Sequence, residues 1–281
     1  MTTPLLSLTD VSKRFGRVLV ADRLAFDAGD GEAVGIVGPN GAGKSTLFSI
    51  ISGDLAPDAG EVTFAGRPVT KLAAGARCRL GIGRTYQVPR PFENMTVFEN
   101  VLVAAQQGAG TRSRAAEERA LAVLDQTGLR GLANRPAGKL TLLQRKRLEV
   151  ARALGGEPRL LLLDEVAGGL TEPEVEELLD IVAGLRRRGI TVIWIEHVVH
   201  VLVRSVDRLL CLAGGAFIAE GRPDEVLADD TVREVYLGGG PELAPTLPAT
   251  HHPVDLGGMA GQTGHGPATS PRSTRETKGA T

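Results

Sequence analysis

Gly38-Pro-Asn-Gly-Ala-Gly-Lys44-Ser45 is the stretch on which the reading of this chain turns. It has the spacing G-x-x-x-x-G-K-[ST], and its neighbours fit that motif. Glu32–Gly38 before it is an apolar run that reads as a strand, and Lys44–Ser52 behind it is apolar-periodic like a helix. Small residues let backbone N–H groups curl around phosphate oxygens, and a helix starting at once points its positive dipole end at the same place. The spacing therefore predicts a nucleoside-triphosphate loop made of Gly38, Pro39, Asn40, Gly41, Ala42, Gly43, Lys44, Ser45 and Thr46. Lys44 is expected on the β- and γ-phosphates, and the Ser45 hydroxyl on Mg²⁺.

Further along, Leu160-Leu-Leu-Leu-Asp164-Glu165 reads as an apolar strand closed by acids. Paired with the glycine-rich loop, Asp164 is expected to hold Mg²⁺ and Glu165 to polarise the attacking water as general base. Thr191–Ile195 is another continuous apolar run, of the kind buried on both faces of a parallel sheet. Thr96-Val-Phe-Glu99 and Thr171-Glu-Pro-Glu174 carry capping-box spacing and predict helix starts, while Arg114–Thr127 and Gln144–Leu154 read as amphipathic helices. The alternation predicts an α/β fold with a parallel sheet core and an inserted helical subdomain at about 89–156; an N-terminal antiparallel β part is expected ahead of them.

Composition sets bounds on this reading. The 281 residues hold 32 Lys plus Arg against 33 Asp plus Glu, a net charge of −1 that argues against attachment to nucleic acid by bulk charge. Two cysteines, Cys78 and Cys211, do not make a disulfide scaffold. No apolar stretch approaches the ~18–20 residues that span a bilayer, and the N-terminus lacks a basic, then apolar, secretion signal. The expectation is a cytoplasmic protein that meets the membrane only through a partner. All ten aromatic residues precede Leu237, and the 41 residues from Pro241 contain six of the 16 prolines. Residues 4–238 are thus expected to form the ordered domain, and 239–281 a disordered Pro/Gly/Thr-rich tail.

Three more features narrow the branch. Gln87 follows a short strand at Gly83–Tyr86, and His197 follows the buried strand 33 residues after Asp164. Leu140-Thr-Leu-Leu-Gln144 opens a helix 20 residues before Asp164. In order and spacing the set resembles an ATP-binding-cassette (ABC) ATPase over about residues 5–238. That resemblance implies that Gln87 ligates Mg²⁺ and senses a transport subunit, and that His197 contacts the γ-phosphate. It also implies that Phe15 stacks on adenine, and that Thr141 and Gln144 close over ATP held by the facing protomer. The stretch Gly83–Ala104 and the end Val232–Gly238 are similar to branched-chain amino-acid importer ATPases.

Two departures stand out. Leu142 and Leu143 occupy positions where the family carries small glycines, and Thr171 stands where Asp or Asn is usual. A leucine beside a phosphate obstructs close approach of the backbone N–H. The resemblance implies integral-membrane permease subunits as partners on the inner face of the cell membrane, and the leucines point to a second ATP-binding subunit as a heterodimer rather than a homodimer. The ATPase subunit of a lipid-export system is the alternative. A soluble ABC ATPase acting on DNA or ribosomes is a further one, disfavoured by a single cassette with no basic excess.

Overall fold

The computed structural model describes residues 3–108 and 114–237. The expected tail, 239–281, lies outside the described residues. The chain opens with a hairpin, β1 (Leu6–Phe15) and β2 (Val18–Ala28), then β3 (Ala33–Val37) and α1 (Lys44–Ser52). Next come β4 (Ala59–Phe64), β5 (Arg67–Pro68), α2 (Ala74–Leu80) and β6 (Ile82–Arg84). Between β6 and the next strand the described residues form α3 (Val97–Gln107), α4 (Arg114–Gln126), two short 3₁₀ turns, α5 (Leu142–Gly155) and one isolated bridge from Thr96 to Pro136. Then follow β7 (Leu160–Asp164), α6 (Glu172–Arg186), β8 (Thr191–Ile195), α7 (Val199–Ser205), β9 (Arg208–Ala213), β10 (Ala216–Gly221), α8 (Pro223–Ala228) and α9 (Asp230–Leu237).

The strands form two sheets. One is antiparallel in the order β2-β1-β4-β5, and the other runs β10-β9-β3-β8-β7-β6. The second sheet is parallel apart from its β10 edge, as the unbroken apolar runs predict. Side chains alternate between two cores. Val34, Ile36, Leu160, Leu162, Ile193 and Ile195 share one with α1 and the antiparallel sheet, through Leu47, Phe48, Leu6 and Val62. Val37, Leu161, Leu163, Val192 and Trp194 share the other with the helices, through Val101, Leu148 and Leu178. Polar residues have no place on strands walled in this way, so the strand tips are the first positions where chemistry can begin.

Both expected capping boxes are present. Glu99 accepts from the Thr96 N–H at 2.7 Å, and Glu174 from the Thr171 N–H at 2.9 Å. Each such cap contributes about 1 kcal/mol to its helix. A third box, Thr141 with Gln144, starts α5 at Leu142, two residues earlier than the sequence pattern suggested. The short strand before Gln87 ends at Arg84 rather than Tyr86, because Thr85 turns its hydroxyl inward to accept the Asp164 N–H at 3.0 Å. No helix of the described residues is long and apolar enough to cross a membrane.

Candidate active site at the strand tips

Register brings three strand ends level. Ile36 pairs with Ile195, and Asp164 pairs with Ile195 from the other side. The glycine-rich loop after β3, Asp164 and Glu165 after β7, and His197 after β8 therefore emerge at one edge of the sheet, where parallel sheets open their ligand crevices.

The loop's shape requires its glycines. Gly43 has φ 106° and its missing Cβ would lie 2.4 Å from the carbonyl oxygen of Val20 on β2. Gly38, at φ 155°, would press a Cβ to 2.0 Å from the Leu212 carbonyl oxygen. With no room for side chains, the backbone is left to do the binding. α1 begins at Lys44 with no side-chain cap and no acidic residue in its first turn, so its first N–H groups have no side chain to satisfy them. That is an anion site in waiting. The Lys44 ammonium is buried in the same loop, donating to Gly38 O at 2.6 Å and Pro39 O at 3.0 Å. Burial lowers its pKa below the ordinary lysine value, and the charges of Glu165 and Asp164 pull it back up.

Asp164 is 3% exposed. Arg84 Nη2 donates to its Oδ2 at 3.2 Å, whereas Oδ1 is buried with no partner. Burial raises its pKa and Arg84 opposes the rise. An orphaned carboxylate oxygen at a strand tip is unusual and marks a place for a ligand. It fits a divalent cation: a hard oxygen donor, with the exposed Ser45 hydroxyl at the first turn of α1 and the Gln87 side-chain oxygen as further hard donors.

Glu165 sits in the left-handed region at φ 48°, a conformation that costs a non-glycine residue of order 1 kcal/mol or more. Its N–H donates to Ile195 O at 2.9 Å. The Gln87 amide donates to one carboxylate oxygen, and His197 Nε2 lies 2.5 Å from the other. Glu165, Gln87 and His197, three residues predicted from separate parts of the sequence, are thus in direct contact.

Other expected residues lie further out. Phe15 is 50% exposed at the end of β1, with the Lys13 ammonium 5.8 Å from its ring centre, so it is no core residue. The same hairpin backs the glycine-rich loop through Val20. Thr141 and Gln144 are engaged with each other at the N-terminus of α5 and do not reach Lys44, Asp164 or Glu165 through any hydrogen bond. Leu142 is 45% exposed and lies against Gly169 of the loop after β7.

Three polar residues escaped the sequence reading. Arg84 bridges Asp164 to Asp54, Ser49 and Ser52 around the end of α1. Lys146, 4% exposed on α5, donates to the backbone oxygens of Gln87 at 3.2 Å and Glu165 at 2.8 Å. Glu196, 1% exposed, accepts from the Ala167 N–H at 2.6 Å and from Trp194 Nε1 at 3.3 Å. Only Glu196 left a signal in the sequence, as an acid closing the apolar run Thr191–Ile195.

Comparison with known proteins accords with this geometry. The model of the ABC transporter family matches residues 21–168, which contain the loop, Gln87, Asp164 and Glu165. The chain is an ATPase of the ABC transporter family. A second family model, branched-chain amino acid ATP-binding cassette transporter, matches residues 218–242 of this cassette. The cassette is 35% identical over 253 residues to the Salmonella typhimurium high-affinity branched-chain amino acid transport ATP-binding protein LivG, spanning 85% of this chain and 99% of that one. It superposes with TM-score 0.78 and 31% identity on a solved ATP-binding cassette of an ABC transporter in its ADP conformation, covering 84% of this chain and 100% of that one. A dimeric cassette in a post-hydrolysis state, bound to ADP and inorganic phosphate, matches at TM-score 0.70 and 27% identity, over 78% and 98% of the two chains.

Proposed function

We propose that this cassette is the motor subunit of an importer for branched-chain or related amino acids, and that ATP-driven closure of a dimer of cassettes powers a separate membrane permease. The observation that carries the reading is the contact of Glu165 with both Gln87 and His197 beside the orphaned oxygen of Asp164. Likeness to LivG and the family match over 218–242 support the amino-acid class over lipid export. The post-hydrolysis dimer among the similar structures supports closure by pairs.

In this mechanism the loop N–H groups and Lys44 hold the phosphates, and Phe15 stacks on the adenine. Ser45, Asp164 and Gln87 would hold Mg²⁺, which would supply positive charge to offset the charge of the phosphates. Glu165 takes a proton from water as the water oxygen attacks the γ-phosphorus, and the bond to the β,γ-bridging oxygen breaks to leave ADP and phosphate. His197 keeps the Glu165 carboxylate oriented and faces the γ-phosphate. Thr141 and Gln144 of each subunit meet the ATP of its partner. Leucines at 142 and 143 make this a poor clamp, so the partner is a different ATP-binding subunit.

Affinity purification of the native assembly from membranes, followed by mass spectrometry and reconstitution, tests the proposal. The expected result is integral-membrane subunits, a second cassette and ATP-dependent leucine uptake into proteoliposomes. Recovery without membrane proteins, or lipid movement with no amino-acid uptake, would overturn it.

A further inference from the structure

We propose that Lys146 is a positioning residue for hydrolysis, which holds the turn carrying Glu165 and the turn carrying Gln87 in register with helix α5. The proposal rests on the reading of Glu165 as general base. Lys146 is on α5, two residues beyond Gln144, yet it is nearly inaccessible and its ammonium makes no hydrogen bond to any side chain among the described residues. Both of its hydrogen bonds go to main-chain oxygens, those of Glu165 at 2.8 Å and Gln87 at 3.2 Å. These are the two residues whose side chains also touch each other. One cation therefore fixes the backbone beneath both ends of that contact.

The bond to Glu165 bears most directly on chemistry. Glu165 is in a left-handed conformation that a residue with a side chain does not adopt without support. Its N–H is held by Ile195 of β8, and its carbonyl by Lys146 at 2.8 Å and, at a longer 3.4 Å, by the Gly168 N–H. Removing the ammonium takes away the shorter of the two bonds to that carbonyl and leaves the Gly168 N–H at 3.4 Å, so the peptide is freer to relax and swing the carboxylate. The charge is itself sustained locally: burial lowers the pKa of Lys146, and Glu196, Glu165 and Asp164 counter the loss. Glu196 in turn grips the N–H of Ala167 in the loop after β7. A displacement of α5 would thus be felt at once by the base and by Gln87, so the position of the helix bearing Leu142 and Gln144 gates hydrolysis.

The test uses the full chain with Lys146→Met, Lys146→Gln and Lys146→Arg beside Glu165→Gln, measuring kcat, ATP affinity by a fluorescent analogue, and melting temperature. A small displacement of a reacting group costs up to about 100-fold in rate, so Lys146→Met should lose on the order of 10- to 100-fold in kcat with ATP affinity within a few-fold of wild type. Arg, with donors for both carbonyls, should restore most of the rate, and Gln, which keeps one donor without the charge, should fall between. Should Met fail to fold, the Arg and Gln pair decides the question. Wild-type kcat in Met or Gln overturns the proposal, as does a loss of ATP affinity and melting temperature in step with kcat that Arg does not rescue. If Glu165→Gln itself retains turnover, it is the reading of the base that fails, and the two results are distinguishable.

Discussion

Arg84 donates to one oxygen of Asp164 at 3.2 Å and leaves the other, Oδ1, buried without a partner. The two residues are 80 positions apart in sequence, on β6 and β7, and the same guanidinium reaches Asp54 at 3.0 Å and the hydroxyls of Ser49 and Ser52 at 3.1 and 3.2 Å. It therefore ties α1, behind the glycine-rich loop, to the strand that presents Asp164, the acid proposed to hold Mg²⁺. The pairing orients one oxygen and reserves the other. It also counters the burial that raises the pKa of this carboxyl.

Arg84→Met should shift the acid limb of the ATPase pH profile upward. Asp164 already has a raised pKa, and a cation within ~4–6 Å lowers a carboxyl by about 1–3 units, so its loss lets the pKa climb further. Activity requiring the ionised carboxylate would then fail at a higher pH, and half-maximal Mg²⁺ concentration would increase. A pH–rate profile with the same acid limb as wild type would show that Arg84 serves packing alone.

Glu196 gives a second pH signature. Burial raises its pKa from 4.5 to about 7, against the hydrogen bonds of Ala167 and Trp194 and the charge of Lys146. The folded protein thus keeps this proton where the unfolded chain has released it. Stability from Glu196 is complete below about pH 4.5 and is lost as pH rises to about 7, by at most about 3 kcal/mol. Glu196→Gln should flatten the stability curve in that window. Trp194, the one tryptophan of the chain, donates to the same carboxylate, so its emission should titrate near pH 7 in wild type and not in the variant.

Leu142 and Leu143 bear on partner choice. Leu142→Gly with Leu143→Gly should increase ATP-dependent self-association of the purified chain, at a cost in helix stability of roughly 1 kcal/mol per glycine. Sedimentation with and without ATP reads the change. Tight ATP-dependent homodimers of the wild-type chain would contradict the heterodimer reading.

What was legible in the sequence was whatever has a short period or a fixed spacing. The runs Leu160–Leu163 and Thr191–Ile195 could be read because both faces of a parallel strand are walled by side chains, and Thr96 and Thr171 because a cap is a local bond. The phosphate loop, Asp164, Glu165, Gln87 and His197 followed from spacing together with family resemblance. Arg84, Lys146 and Glu196 did not. Each acquires its meaning from a partner 19 to 80 residues away, which no window of sequence contains. The antiparallel part at the N-terminus was expected, but the bounds of its β1–β2 hairpin were indistinct. Register shifts at Leu8, Val11 and Lys13 break its alternation, so its apolar pattern has no steady period.

The most direct measurement compares ATP affinity and steady-state hydrolysis for wild type and Glu165→Gln. A positioned base supplies about 10²–10⁴ in rate, whereas the proposed mechanism rests binding on the loop and Lys44, which the substitution leaves untouched. The expected result is a variant that binds ATP within a few-fold of wild type and turns over at least about 100-fold more slowly. A variant with near-normal turnover would remove Glu165 from the chemistry and contradict the account of this site.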